Sequence, residues 1–370
     1  MNEERLLNEF LELVKIDSET KYEREIADVL IKKFQELGMK VEEDDSMKHT
    51  GHGAGNLICT LEGSISAPAI YFTSHMDTVV PGLNVNPIVK EGYVYSDGTT
   101  VLGADDKAGI AAMIEAVRSI QESGATHGTV QFVITVGEES GLLGARHLDM
   151  SKIKAEFGYA LDSDGPVGDI VTAAPNQSKI FATIHGKKAH AGVAPEKGVS
   201  AIAVASKAIA AMPLGRIDEE TTANIGRFEG GTQTNVVCDR VEIKAEARSL
   251  VKEKMVQQTD KMKAAFENAA NEMGAEAEVD VHIVYPGYKQ AEDDKVVAIA
   301  KQAVNRIGRE PNIKQSGGGS DANIIAGHGI PTINLGVGYE DIHTTDEKIA
   351  IAELNKLTQL VMEIIHQSTK

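Results

Sequence analysis

Residues 69–77 read Ala-Ile-Tyr-Phe-Thr-Ser-His-Met-Asp. The run Ala69–Thr73 has the composition of a strand buried on both faces, and two side chains able to hold a cation, His75 and Asp77, follow it. Similar apolar runs lie at Val130–Val136, Tyr159–Leu161 and Thr332–Leu335, and a helix is expected over Lys107–Ser123 between the first two. Alternation of this kind predicts an α/β fold on a mixed, mainly parallel sheet with helices on both faces. Two amphipathic helices open the chain. In the second, Ile26, Val29, Leu30, Phe34 and Leu37 share a face and Gly38 stops the pattern.

The middle of the chain has a different order: strand Ile180–His185, helix Gly198–Met212, strands Thr222–Phe228 and Val241–Ala247, helix Lys252–Met273, strand Ala277–Val284. That is the βαββαβ succession of a ferredoxin-like domain. Because α/β character resumes near Asp293, the second domain is expected as an insertion: residues 178–290 within a domain formed by 1–177 and 291–370. A length of 370 residues agrees with two cores.

Composition narrows the chemistry. A net charge of −18 argues against nucleic acid as a partner, since a phosphate backbone demands clustered Lys and Arg. Two cysteines, Cys59 and Cys238, offer neither a disulfide framework nor a thiolate metal site, so a metal must be held by His and carboxylates. The start MNEERLLNEF lacks the features of a signal peptide, and no apolar run approaches ~18 residues, which predicts a cytoplasmic protein with no membrane partner.

In open α/β sheets, ligands collect beyond the carboxyl ends of the strands. Here His75 and Asp77 follow the first strand, Glu138 and Glu139 the second, Asp162 ends the third, and His343 lies a few residues beyond the fourth. Asp105 and Asp106 precede the long helix. A ligand imidazole needs its second ring nitrogen engaged, a job within reach of Asp77. Adjacent carboxylates can divide labour, one coordinating and the other taking the proton of an attacking water. Asp105 is expected as a carboxylate shared by two ions, with Asp106 as helix cap and support. The expected ligand sets are His75, Asp105 and Asp162 for one ion, and Asp105, Glu139 and His343 for the other, with Asp164 a rival to Asp162. Such nitrogen–oxygen sets suit Zn²⁺ and tolerate Co²⁺ or Mn²⁺.

The runs Ser74-His75-Met76-Asp77-Thr78, Leu102-Gly103-Ala104-Asp105-Asp106-Lys107-Ala108-Gly109 and Gly137-Glu138-Glu139-Ser140-Gly141 resemble those of the M20 metallopeptidases, within them the tripeptide aminopeptidases. The resemblance implies a zinc-peptidase-like domain with an inserted lid and dimerisation domain, and two zincs per subunit. It implies a cis peptide between Asp105 and Asp106, Glu138 as general base, Glu139 as ligand and Asp77 as the residue orienting His75. It also implies an oxyanion-stabilising role for His190, in cis or from the partner of a homodimer, and substrate binding by Asn235 and Arg248. One departure stands out: the run Gly317-Gly318-Gly319-Ser320-Asp321 carries Gly317 where tripeptidases have Arg, and the glycines, Gly318 among them, are expected to shape a substrate-binding pocket wall whose backbone N–H groups bind a carboxylate. Another is a shorter stretch between Asp77 and Asp105 than tripeptidases have. The expected activity is hydrolysis of short peptides. Deacylation of N-acyl amino acids, and a catalytically silent peptide binder, are the alternatives.

Overall fold

A computed structural model describes residues 1–370. The chain divides into two compact units. One comprises Met1–Ala173, Gln290–Gln315 and Ser320–Lys370; the other comprises Ala174–Lys289 and Ser316–Gly319.

The first unit is built on strands β1 (Lys40–Glu43), β2 (Leu57–Leu61), β3 (Ile70–His75), β4 (Val130–Thr135), β5 (Phe157–Ser163), β6 (Asp169–Ala174), β7 (Asn312–Gln315) and β8 (Thr332–Gly336). They lie in the order β1-β2-β4-β3-β5-β8-β6, with β7 paired to β6. The centre is parallel: β3 pairs with β4 and β5, and β8 with β5. The edges turn antiparallel at β1–β2, β2–β4 and β8–β6. The helices are α1 (Glu3–Val14), α2 (Arg24–Glu36), α3 (Ala104–Ser123), α4 (Lys295–Arg306), α5 (Asp321–Gly327) and α6 (Ile351–Gln367).

Both faces of the sheet are covered, which is why the strands read as unbroken apolar runs rather than alternating ones. Ile70 and Phe72 join the large core with α1, α2, α3, α4 and α6, whereas Tyr71 points the other way, against Ile58, Val133 and Ile325 of α5. Phe72 packs on Phe132 and Tyr159 at centroid distances of 6.0 and 5.6 Å. Each such buried ring contributes about 1.5–3 kcal/mol. Helix α3 is buried on nearly every face and lies tight against β3. A Cβ on its Gly109 would stand 2.8 Å from Ser74 Oγ and 2.9 Å from Asp106 Oδ1, so only glycine permits this approach.

Four short strands form a separate antiparallel sheet in the order Tyr339–Glu340, Lys348–Ala350, Tyr93–Tyr95, Ile88–Lys90. Pairing of Tyr339 with Ile349 closes the loop 341–347, which carries His343.

In the second unit the strands Gly215–Arg216, Thr221–Gly230, Arg240–Ser249, Asn176–His185 and Glu276–Tyr285 lie side by side in that order, all antiparallel. Helices Ala201–Ala210 and Lys252–Met273 cover one face, burying Ile180, Ala182, Ile184, Val241 and Ile243 with Val204, Met262 and Phe266. The intervening residues face outward, as the period-two pattern requires. Among the helices, none is long and apolar enough to cross a membrane.

Candidate metal centre

Strand β3 ends on His75, which pairs in parallel register with Thr135 at the end of β4, so the two strands stop level. Glu138 and Glu139 lie just beyond β4, Asp162 sits in the last turn of β5, and α3 begins beside them. The structure brings three overlapping groups within metal-ligating distance: His75, Asp105 and Asp162; His75, Glu138 and Glu139; and Asp105, Glu139 and His343. Asp164 does not join them and is exposed.

Asp105 is the shared member. Its Oδ1 lies 3.1 Å from His75 Nε2 and its Oδ2 lies 3.2 Å from His343 Nε2. His343 Nε2 also stands 2.9 Å from Glu139 Oε1, and His75 Nε2 stands 3.9 Å from Asp162 Oδ1. One carboxylate thus turns a different oxygen to each of two imidazoles.

Local structure explains this presentation. Asp105 and Asp106 leave the helical region (φ −80°, ψ 101° and φ −123°, ψ 32°), and the peptide between them is cis. The regular part of the helix therefore starts at Lys107 with Asp106 directly before it, where a cap was expected, but its carboxylate takes no first-turn N–H, so its contacts show the support role and no cap hydrogen bond. Asp106 is fully buried instead and accepts a hydrogen bond from Ser74 Oγ at 2.5 Å. The turn is held from outside by Glu347. Its Oε2 accepts the N–H groups of Leu102 and Gly103 at 2.7 and 2.8 Å, and its Oε1 that of Asp105 at 2.9 Å.

Asp77 also does more than its spacing suggested. His75 Nδ1 lies 2.8 Å from the Asp77 carbonyl and 3.5 Å from its carboxylate. The Asp77 carboxylate is spent on two backbone donors, accepting from Glu138 N–H at 3.0 Å and Glu139 N–H at 3.2 Å. It therefore fixes the turn carrying the two glutamates relative to the imidazole. Asp162 is clamped by Asn334, whose Oδ1 accepts its N–H at 3.0 Å and whose Nδ2 donates to its carbonyl at 2.5 Å. Tyr339 donates to Asp162 Oδ1 at 3.3 Å.

Electrostatics test whether this donor set fits a cation. Burial, reinforced by the neighbouring Asp162, raises Glu138 well above the usual carboxylate range. Burial likewise raises Asp162, and only His75 counters it strongly. Asp321 is pushed up to about 6 by burial, against a hydrogen bond from Thr135. For Asp105 the hydrogen bonds of His343 and His75 outweigh burial and hold it low. Burial opposes the charge on His75, yet Asp105 and Asp77 raise it well above its usual value; His343, bonded to Asp105 and Glu139, rises to about 10. The site is a buried excess of anion that draws protons for want of positive charge, and Asp106 Oδ1 and Asp321 Oδ1 are buried without a hydrogen-bond partner. Divalent cations with nitrogen–oxygen preference fit this set, at one or two positions.

In the second unit, His190 is exposed, and its Nδ1 accepts from the N–H groups of Gly192 and Val193, each at 3.2 Å. That use of Nδ1 leaves the proton on Nε2. The Asn235 carbonyl accepts from Ala191 N–H, so His190 and Asn235 lie on adjoining segments. Arg248 is bound fork to fork by Glu246 (Nε–Oε1 2.8 Å, Nη2–Oε2 3.3 Å), and its Nη1 donates to the Gly317 carbonyl at 3.1 Å. Gly318 N–H donates to Ser316 Oγ at 3.0 Å.

Sequence reasoning missed Glu347, Asn334, Tyr339 and Asp321. Asp321 lay in the quoted glycine run, and Glu347 stands four residues after His343. Their partners are distant in sequence, backbone groups for Glu347 and Asn334 and the side chains of Asp162 and Thr135 for Tyr339 and Asp321, which no short-range pattern signals.

The profile of Peptidase family M20/M25/M40 matches residues 71–367. Peptidase T of Clostridium botulinum is 30% identical, with 97% of this chain and 98% of that protein covered. The crystal structure of aminopeptidase PepT from Bacillus cereus is 65% identical with a TM-score of 0.97, and that of a tripeptidase from Staphylococcus aureus 53% identical with 0.98, each covering 100% of both chains. With His75, Asp105, Glu139, Asp162 and His343 gathered at the strand ends of such a fold, the chain belongs to Peptidase family M20/M25/M40.

Proposed function

We propose that this protein is a dizinc exopeptidase that releases residues from the amino end of short peptides. The observation that carries the reading is Asp105, whose two oxygens face two different imidazoles. His75 and Asp162 would complete one position, and Glu139 and His343 the other. When bound, the ions supply Lewis acidity toward the scissile carbonyl and acidify the attacking water. Names of relatives, an aminopeptidase and a tripeptidase at 65% and 53% identity, support a short-peptide substrate.

Glu138 is the general base. Its carboxylate takes a proton from the attacking water and passes it to the leaving amine. Asp77 keeps it in place through its backbone N–H, and burial gives it an affinity for the proton that an exposed carboxylate lacks. His190, with its proton on Nε2, is a donor for the oxygen anion of the tetrahedral intermediate. Asn235, Arg248 and Gly318 are proposed to bind the substrate backbone and terminus, in an inserted domain that also serves as a homodimer seam. We place the protein in the cytoplasm. Glu138→Gln tests the reading: metal content should hold while turnover of a tripeptide falls at least about a hundredfold. Near-wild-type turnover would sink the assignment of the base. N-acyl amino acids assayed alongside should be poor substrates.

A further inference from the structure

The polar stretch Ile16-Asp17-Ser18-Glu19-Thr20, between α1 and α2, belongs to no motif, yet it touches three of the runs that supply the metal centre. The Ile16 carbonyl accepts from Lys107 Nζ at 2.8 Å. The Ser18 carbonyl accepts from Thr78 N–H, and Thr20 N–H donates to the Thr78 carbonyl, both at 2.9 Å. Thr20 Oγ1 lies 2.6 Å from Ser140 Oγ. These partners share a position. Thr78 follows Asp77, Lys107 follows Asp106 and Ser140 follows Glu139, so in all three runs the residue after the acidic group holds the same segment.

The segment is itself anchored. Glu19 Oε1 accepts Gly82 N–H at 2.7 Å and Asp17 Oδ1 accepts Asn84 N–H at 2.6 Å. Next to it, the buried Glu23 accepts Lys21 N–H at 2.8 Å and Gly53 N–H at 3.0 Å. His52, also buried, reaches Ser140 Oγ at 3.4 Å and packs under Gly137, where a Cβ would come within 2.5 Å of its Nε2. Lys107 is 1% exposed, and its ammonium reaches across to a single carbonyl of this segment. A buried charge directed at one main-chain oxygen fixes that oxygen strongly.

We propose that Ile16–Thr20 is a positioning strap, setting the Asp77, Asp105–Asp106 and Glu138–Glu139 turns relative to one another by holding the residue that follows each. Thr20 is the positioning residue for the general base, acting through Ser140. The inference rests on the peptidase reading. Misplacement of a reacting group by about 1 Å costs up to a hundredfold in rate, and one lost hydroxyl contact should cost less.

The test compares Thr20→Val, which keeps the shape and removes the hydroxyl, with Thr20→Ser, which keeps the hydroxyl. Thr20→Val should lower kcat on a tripeptide about five- to thirtyfold with KM within about twofold, and Thr20→Ser should stay within about threefold of wild type. Ser140→Ala should lower kcat at least as far as Thr20→Val, since it also loses the contact to His52, and the double variant should fall well short of the product of the two losses, because the bond they share is lost once. An activity-free readout accompanies these: hydrogen exchange at the Glu138–Ser140 amides should quicken in Thr20→Val and not in Thr20→Ser. Unchanged kcat in Thr20→Val, additive losses in the double variant, or unchanged exchange would each overturn the strap. Absence of turnover in the wild type would instead overturn the peptidase reading, leaving exchange to decide the strap.

Discussion

Glu347→Gln is the most informative single change, because it removes one acceptor and almost no volume. The Glu347 carboxylate accepts three N–H groups from the turn that presents Asp105. A glutamine can keep Leu102 and Gly103 on its one oxygen, but its NH₂ then faces the N–H of Asp105. A buried hydrogen bond to a charged acceptor is worth about 1.5–3 kcal/mol, and here it is replaced by two opposed donors. That loss falls on the residue whose two oxygens serve both halves of the centre. Supporting residues of this kind typically carry 10–100-fold in metal affinity. Burial raises Glu347 to about 7 against the three backbone donors, so the contrast should be measured near pH 8, where the wild-type group is ionised. Below pH 7 the neutral acid resembles the amide and the gap should narrow. Zinc competition against a chelator should show weakening by about ten- to a hundredfold at pH 8. Affinity within twofold of wild type at pH 8 would refute the role given to Glu347.

Other expectations follow from the same geometry. Asp162→Asn should weaken zinc binding and abolish most turnover, whereas Asp164→Asn, at an exposed side chain outside the three groups, should leave both within about twofold; elemental analysis and a peptide assay decide it. Gly109→Ala forces a Cβ against Ser74 Oγ, Asp106 Oδ1 and the Leu161 carbonyl, and should cost about 1–3 kcal/mol in urea unfolding. Metal-free protein should lose stability as pH rises. The contribution of His343 is complete below its unfolded value near 6.5 and is lost as pH climbs through about 10, whereas Asp321, raised from 3.8 to about 6, lowers stability between those two values and adds no slope above them. Urea midpoints at pH 6.5, 8 and 9.5 in chelator should descend, and a flat profile would contradict the charge balance described here.

The fold was legible because its signals are periodic. Buried strands such as β3 announce themselves by composition, and the inserted unit by the order of its elements. The cluster of candidate ligands was legible because His75, Asp105, Glu139 and Asp162 sit at strand ends or a helix start, where chain position alone indicates direction, with His343 in the loop 341–347. What stayed hidden has a common physical character. β6 was passed over, and β7, four residues long, carries little pattern. Glu347 reaches its three donors across more than two hundred residues of sequence, and Asn334 holds Asp162 from a neighbouring strand. The Asp77 carboxylate was expected to orient an imidazole; it lies 3.5 Å from His75 Nδ1, whose shorter contact is to the Asp77 carbonyl, and it holds two backbone donors as well. Sequence spacing names a reachable partner; which of two adjacent polar atoms reaches it depends on backbone direction.

In the proposed function, Asp105 joins two metal positions in one hydrolytic site. Metal per chain, counted by elemental analysis while stripped protein is titrated with zinc and assayed on a tripeptide, tests it most directly. The stripped protein should show no turnover, and turnover should be full as binding reaches two zincs per chain. Turnover that survives complete removal of metal, or that saturates with a single ion while Asp105→Asn behaves as wild type, would contradict it.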